Sequence, residues 1–280
     1  NLKIILKNMY KKLKNKIKNK ELKKYLLWKL GLNTLTHYLN IFINYVLNPL
    51  QTIYYIYLYT ALNFSSLKNP LKYLNIKFNI LVKTKSDINQ HLNTLSDYAE
   101  KCESIFETGV RGVVSSWALL KGLNNSKSNS KYFLMNDIEE CDVSEICKIS
   151  NKLEIKMDWI WKNNLDLNLN KKFDLIFIDT WHIYGQLKRE LEKFSVISNK
   201  YIILHDTTLD GVHGETIRNG WDSKKQSVES GYTVEEIEKG LWPAVEEFIE
   251  NNSDWIILER FTHNNGLTIL GKKELHTEKL

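Results

Sequence analysis

The sequence predicts an α/β fold, in which an open and mostly parallel sheet alternates with crossover helices. Two observations lead to this class. From about residue 86 onward, short runs rich in β-branched and aromatic residues alternate with stretches of helical periodicity. One of these runs, Phe173–Asp179, is almost continuously apolar, as expected of a parallel strand buried on both faces. A composition with 43% hydrophobic and 26% charged residues fits a globular domain of this kind.

Five parallel strands and a closing hairpin are expected in chain order. The parallel strands are predicted at Ser104–Thr108, Tyr132–Asp137, Leu153–Met157, Phe173–Asp179 and Tyr201–His205. Helices are expected at Val113–Lys121, Gln186–Phe194 and Val234–Asn251. The last two strands, Trp255–Arg260 and Gly266–Leu270, are separated by a short polar connection, so we expect an antiparallel hairpin.

The beginning of the chain differs from the rest, and we expect a helical extension over residues 1–84 before a domain over residues 85–280. Residues 1–29 contain eleven Lys and one Glu, so this segment is strongly basic and the remainder of the chain is net negative. The lysines are explained equally well by compositional drift and by a basic patch for phosphates or anionic lipid. Nucleic-acid binding is not expected, because the excess of positive charge is confined to this segment.

Residues 31–67 contain no Asp, Glu, Lys or Arg, which raises the question of a membrane span. Asn44, Asn48 and Pro49 interrupt the apolar runs, and a span needs roughly 18 or more apolar residues. We therefore favour helices that pack on the domain or lie on a membrane surface over a transmembrane helix. Three cysteines without CxxC spacing, and no signal-peptide pattern, predict a cytoplasmic protein that is either free or peripheral to a membrane.

The carboxyl ends of the first three predicted strands form a candidate ligand site, because open α/β sheets bind ligands at those ends. The first strand is followed by Gly109 and Gly112 with Arg111 between them, a spacing that allows a tight turn but differs from the dinucleotide fingerprint. Asp137 ends the second strand, where a carboxylate can accept both hydroxyls of a ribose. Asp158 and Trp159 follow the third strand and are candidates to flank an adenine ring. The alternatives are an ordinary turn, a helix cap and a core aromatic residue.

The ends of the fourth and fifth strands carry a second group of polar residues. Asp179 and Asp206 are expected to face one pocket, and paired carboxylates suit Mg²⁺ or another divalent cation. His205 adds an imidazole, which suits a transition metal. The alternative is that Asp179 caps a helix or positions a substrate without any metal.

At these residues the chain resembles class I S-adenosylmethionine-dependent methyltransferases, and among them the cephalosporin-hydroxylase-like and small-molecule O-methyltransferases. The resemblance covers about residues 86–270. It rests on three motifs in order: Glu107-Thr108-Gly109, the Asp-x-x-His-x-Tyr pattern from Asp179 to Tyr184, and His205-Asp206. It implies a Rossmann-like methyltransferase sheet that ends in an antiparallel hairpin.

The resemblance also implies roles for individual residues. Glu107 and Gly109 would border the methionine part of S-adenosylmethionine, Asp137 would hold the ribose and Asp158 would lie near the adenine. Catechol-type O-methyltransferases bind Mg²⁺ through acids after strands four and five, with an Asn beside the second acid and a Lys as the base. Here Thr207 stands in place of the Asn and His182 in place of the Lys.

The expected function is methyl transfer from S-adenosylmethionine to an oxygen of a small molecule or sugar, with or without a divalent cation. Asp179, His182 and His205 are the candidate catalytic residues, because imidazole can take a proton from a hydroxyl near neutral pH. The polar loop from Asp210 to Trp221 is a candidate lid. The alternatives are a non-catalytic nucleoside-binding or scaffold protein, and a membrane-surface enzyme that acts on a lipid or glycan.

Overall fold

The computed structural model describes residues 69–276. The helices are α1 (Pro70–Lys83), α2 (Leu92–Ala99), α3 (Val114–Asn125), α4 (Ser144–Lys152), α5 (Tyr184–Ser195), α6 (Glu215–Asn219), α7 (Ser223–Ser230), α8 (Val234–Glu238) and α9 (Trp242–Asn251). The strands are β1 (Ser104–Thr108), β2 (Tyr132–Asp137), β3 (Lys156–Trp161), β4 (Phe173–Ile178), β5 (Ser198–His205), β6 (Trp255–Phe261) and β7 (Leu267–Lys272). The predicted extension falls outside the described residues except for its end, α1, and its boundary at residue 84 stays a prediction.

The seven strands form one sheet in the order β3-β2-β1-β4-β5-β7-β6. Strands β1 to β5 are parallel, whereas β7 runs antiparallel to both β5 and β6. The predicted fold class, a mostly parallel sheet with an antiparallel C-terminal hairpin, is therefore confirmed. Because the strand order reverses between β1 and β4, a crevice is expected at the carboxyl ends of these two strands.

The core explains why the central strands form where they do. Every residue of β4 is buried, in agreement with its continuously apolar sequence. Phe106 of β1 packs on Phe173 of β4 and on Phe194 of α5, with ring centroids 5.5 and 5.3 Å apart. These aromatic contacts join the centre of the sheet to the helix that follows β4, and so they support the strand ends on which the site is built.

Two predicted elements have different bounds in the structure. The third strand was expected to end at Met157, but β3 begins at Lys156 and continues to Trp161. The long helix predicted from Val234 to Asn251 is two helices, α8 and α9. The break lies at Gly240, where a Cβ atom would come within 2.4 Å of the Asp210 carbonyl oxygen, and α9 then begins with a proline in its first turn.

Helix α1 packs on the helices that follow β1 and β2. The ring of Tyr73 contacts that of Trp117 on α3, with centroids 6.1 Å apart. Lys77 forms an ion pair with Glu145 on α4 at 3.0 Å. Among the helices of residues 69–276, none combines the length and apolar character that crossing a membrane requires.

Candidate cofactor and catalytic cleft

A cleft of about 790 Å³ opens at the carboxyl ends of the central strands. Its lining comes from the loops after β1, β2, β3 and β4, and from α7 and the segment that follows it. Gly109, Arg111, Asp137, Asp179 and His182 all line this cleft. The chain thus brings five residues singled out in the sequence to one cavity, although they lie up to 73 positions apart.

Gly109 lies in the cleft wall at a position with no room for a side chain. Its φ is +90°, and a Cβ atom there would lie 1.8 Å from the carbonyl oxygen of Asp179. The backbone of the same region is fixed on both sides, because the Gly109 amide donates to the Asn136 oxygen and the Asp179 amide donates to the Thr108 oxygen, each at 3.0 Å. Glycine is therefore required where the ends of β1 and β4 meet, and it leaves the backbone open to a ligand.

Asp137 lies at the end of β2 and organises the loop after β1. Its Oδ2 accepts a hydrogen bond from the Arg111 amide at 2.8 Å, and its Oδ1 accepts one from the Glu139 amide at 2.9 Å. Each carboxylate oxygen can accept a further hydrogen bond. The Arg111 guanidinium lies 2.6 Å from the Asp87 carboxylate, so it forms an ion pair with the segment before α2.

Glu107 is buried one layer behind the cleft. Its Oε1 accepts a hydrogen bond from the Ser115 hydroxyl at 2.5 Å, and its Oε2 has no hydrogen-bond partner within residues 69–276. Burial raises the pKa of Glu107 to about 8, against the opposing effect of the Ser115 hydrogen bond. Ser115, not Glu107, lines the cleft, so Glu107 reaches a ligand in this conformation only through Ser115.

Asp158 and Trp159 do not line the cleft, which corrects the expectation that they flank an adenine. Both lie in the middle of β3, which is an edge strand, and Asp158 is exposed and pairs in register with Leu134. The apolar run Trp159-Ile160-Trp161 carries the strand four residues beyond its predicted end. The residues that reach the cleft after β3 are Asn163 and Asn164.

Two histidines and several carboxylates meet after β4 and β5. His182 Nε2 lies 3.1 Å from Asp179 Oδ1 and 3.3 Å from Asp206 Oδ2. His205 Nδ1 lies 3.3 Å from the same Asp179 oxygen and 3.0 Å from Asp206 Oδ2. On its other side, His182 Nδ1 lies 3.1 Å from Asp210 Oδ2. Asp179 and His182 face the cleft, whereas His205, whose side chain is 1% exposed, lies behind them.

The carboxylates control the protonation of both histidines. Burial alone would lower the pKa of His182, but hydrogen bonds to Asp179 and Asp210 raise it well above its usual value. Burial opposes charge on His205 in the same way, yet Asp179 and Asp206 raise its pKa to about 10. Burial raises the pKa of Asp179, and the two histidines outweigh that effect and lower it. With the pKa of each histidine raised in this way, both imidazoles are protonated on both ring nitrogens at neutral pH, and neither is a free base.

The same atoms fit the donor set of a divalent cation. Asp179, His205 and Asp206 offer donor atoms within 4.8 Å of one another, and so do His182, Asp206 and Asp210. Ligands on adjacent corners of an octahedron with bonds of about 2.1 Å lie roughly 3.0 Å apart, close to the spacings observed here. In addition, Asp206 Oδ1 is buried without a hydrogen-bond partner in the described part of the chain. These residues therefore have the chemistry and spacing that a cation site requires.

Asp210 and Arg218 complete the cluster. The Asp210 side chain is fully buried and accepts two hydrogen bonds from the Arg218 guanidinium, at 2.6 and 2.9 Å. Glu215, which lines the cleft, lies 3.7 Å from His182 Nδ1. Asp210, Glu215 and Arg218 belong to the segment predicted as a lid. In the structure, Asp210 contacts the His182 ring and is itself held by Arg218. The sequence has one signal for this, the polar segment from Asp210 to Trp221 after the strand that ends in His205.

A second polar network under the cleft was not predicted. Glu190, on α5, is buried and accepts hydrogen bonds from Asn164, Thr180 and Gln186. Glu190 lies three residues after Leu187 and four before Phe194, on the flank of the apolar face of α5, whereas Glu192 is exposed. This helical spacing was the signal in the sequence that could have identified Glu190 as buried.

Comparison with known proteins adds structural likenesses at low identity. No protein-family model and no curated relative matches the sequence. Among solved structures, the chain is similar to the O-methyltransferase TomG from Streptomyces achromogenes in complex with SAM (13% identity, TM-score 0.45, covering 76% of this chain and 95% of that one). It is also similar to an O-methyltransferase from Bacillus cereus in complex with SAH (14%, 0.45, 76% and 97%) and to the SAH-bound methyltransferase PaMTH1 from Podospora anserina (17%, 0.41, 74% and 88%).

Proposed function

We propose that the protein transfers the methyl group of S-adenosylmethionine to a hydroxyl oxygen of a small molecule or sugar. The observation that carries the proposal is the convergence of Gly109, Asp137 and the Asp179–His182 pair on one cleft at the switch point of the sheet. A nucleoside ligand needs an approachable backbone and a carboxylate for its ribose. Transfer to a hydroxyl also needs groups that hold the acceptor and its proton, and Asp179 and His182 supply those.

The cofactor half of the cleft is supported by the loops after β1 and β2. Gly109 lets the ligand approach the backbone, and the remaining lone pairs of the Asp137 carboxylate suit the two ribose hydroxyls. Ser115 presents a hydroxyl whose proton is donated to Glu107, so its lone pairs are available to a ligand donor. A cofactor seated here would direct its methyl group toward Asp179 and His182.

The acceptor half of the cleft is formed by Asp179, His182 and Glu215. In the reaction, a bond forms between the acceptor oxygen and the methyl carbon while the bond from that carbon to sulfur breaks, and sulfur keeps the electron pair. The acceptor proton passes to the carboxylate–imidazole cluster. Asp179 is the carboxylate of that cluster that reaches the cleft. The His182 ring has one proton on Nε2, which faces Asp179, and one on Nδ1, which faces Asp210, so His182 accepts the acceptor proton only after its Nε2 proton has passed to Asp179. Positioning the two reactants supplies much of the rate enhancement.

Asp179, His182, His205 and Asp206 are the residues that would hold a divalent cation. A bound cation would polarise an acceptor hydroxyl and lower its pKa. Independently of that, Asp210 and Arg218 fix the His182 ring through the hydrogen bond on Nδ1. The orientation of His182 toward the cleft is thus a property of the chain itself.

Calorimetric titration with S-adenosylmethionine and with its demethylated product S-adenosylhomocysteine tests the proposal. We expect binding of both in the micromolar range, followed by transfer of a labelled methyl group to one member of a panel of polyols and sugars. Absence of any heat or affinity for either compound would refute the proposed function. Binding without transfer to any hydroxyl acceptor would instead favour a nucleoside-binding protein without catalysis.

A further inference from the structure

We infer that Glu190 is a positioning residue that sets the hydrogen-bonding polarity of the cleft floor, and thereby its selectivity for the amino group of adenine. This inference rests on the proposed function. It starts from an acid that touches no part of the cleft directly. Glu190 is 0% exposed, and its neighbours Asn164, Thr180 and Gln186 all line the cleft.

One carboxylate oxygen collects all three neighbours. Glu190 Oε1 accepts hydrogen bonds from Asn164 Nδ2 at 2.5 Å, from Thr180 Oγ1 at 2.7 Å and from Gln186 Nε2 at 2.8 Å. The three donors come from the loop after β3, the loop after β4 and the first turn of α5. A single buried carboxyl oxygen therefore joins three separate segments of the chain.

The remaining donor hydrogens of these side chains are also used. Asn164 Nδ2 donates to Thr108 Oγ1 at 3.0 Å, and Gln186 Nε2 donates to Asn164 Oδ1 at 3.2 Å. Thr180 has only one hydroxyl hydrogen, which it donates to Glu190 in a hydrogen bond. Each amide nitrogen and hydroxyl thus has its hydrogens directed inward, and only oxygen lone pairs remain to face the cleft.

A floor that presents only acceptors is complementary to a ligand that presents donors. Gln186 Oε1 accepts a hydrogen bond from the Tyr232 hydroxyl at 2.6 Å, and Asn164 Oδ1 accepts one from Gln186 Nε2, so each of these oxygens keeps one lone pair, as the Thr180 hydroxyl also can. The exocyclic amino group of adenine has two N–H donors, whereas the corresponding position of hypoxanthine carries a carbonyl oxygen that would face these lone pairs. Polar groups that lose their partner in this way give strong discrimination.

The polarity depends on Glu190 Oε1 being an acceptor only. Burial raises the pKa of Glu190, and the hydrogen bonds from Gln186, Thr180 and Asn164 oppose that rise without cancelling it. Because all three hydrogen bonds end on Oε1, a proton on the carboxyl group would lie on Oε2, and Oε1 remains an acceptor. Its second oxygen, Oε2, is buried with no hydrogen-bond partner in the described residues. A glutamine at this position would keep the shape but bring an N–H₂ group into a cavity that already contains five donor hydrogens.

The test compares two ligands and two glutamine variants. Affinities of S-adenosylhomocysteine and S-inosylhomocysteine are measured by calorimetry for the wild type, Glu190→Gln and Glu192→Gln. Glu192 is the matched control, because it lies on the same helix and is exposed. We expect Glu190→Gln to bind S-adenosylhomocysteine about tenfold more weakly and to lose most of the preference over the inosyl compound. Glu192→Gln should match the wild type in both respects.

The outcomes separate the inference from the proposed function. If the wild type binds S-adenosylhomocysteine and Glu190→Gln keeps the same affinity and preference, the inference is overturned and the proposed function stands. If the wild type binds neither compound, the proposed function falls and the inference falls with it. Should Glu190→Gln not fold, as judged by its thermal unfolding, Thr180→Val replaces it. That variant removes one donor and its lone pairs without a change in α5, and an unaltered preference in it would equally overturn the inference.

Discussion

Replacing Gly109 with alanine separates two physical costs that the structure assigns to this position. The first is backbone strain, since φ is +90° and an L-residue in the left-handed region costs about 1–2 kcal/mol. The second is steric, because the new Cβ atom would lie 1.8 Å from the Asp179 carbonyl oxygen. The ends of β1 and β4 would have to move apart, and overpacking of this kind costs about 1–3 kcal/mol. The free energy of unfolding should therefore fall by about 2–5 kcal/mol.

Gly231 provides the matched control. Its φ is +78°, and a Cβ atom there would meet nothing within 4 Å, so Gly231→Ala introduces strain without a clash. Thermal unfolding of the two variants should differ, with a shift of about 2–4 °C for each kcal/mol in a domain of this size. Equal midpoints for Gly109→Ala and Gly231→Ala would refute the reasoning, because the steric contribution would then be absent. Gly109→Ala should also abolish cofactor binding.

Three further predictions follow from the cleft and its cluster. Asp137→Asn should weaken S-adenosylhomocysteine binding at least about tenfold, since an amide has one acceptor oxygen and its nitrogen is a donor. Asp158→Asn, on the exposed edge of β3, should leave the calorimetric affinity unchanged. Folding raises the pKa of His205 from 6.5 to about 10 against the effect of burial. The stabilisation from protonated His205 is therefore complete below about pH 6.5 and is lost as the pH rises toward 10. In chemical denaturation, the free energy of unfolding of the wild type should fall more steeply over about pH 7–10 than that of His205→Gln. Parallel profiles for the two proteins would contradict this. Mn²⁺ should raise the thermal unfolding midpoint of the wild type but not that of Asp206→Asn. Binding of Mn²⁺ should release protons from its ligands, which calorimetry in two buffers detects. An equal rise in both proteins would exclude a site at Asp206.

The parts of the site that were predictable from sequence are those carried by buried strands. Once β1, β2, β4 and β5 are recognised from their apolar runs, the residue after each strand is placed at one edge of the sheet. Gly109, Asp137 and Asp179 follow from that rule alone. Asp158 did not, because β3 is an edge strand with alternating burial, and its continuation through Trp159-Ile160-Trp161 moves the strand end by four residues.

The residues missed in the sequence are those whose role depends on a partner distant in the chain. Glu190 is at helical spacing from Leu187 and Phe194, so the pattern of α5 places it on the flank of the apolar face, but the pattern does not show which groups meet it there. It is set apart by the loops after β3 and β4, which descend onto α5 and bring Asn164 and Thr180 to it. The role of Asp210 is equally a product of packing, since His182 and Arg218 approach it from opposite sides. The same packing determines whether His182 can act as a base. The pattern Asp-x-x-His places an imidazole at the cleft, but three surrounding carboxylates raise its pKa and keep it protonated. The base of this site is therefore the carboxylate–imidazole cluster and not the histidine alone.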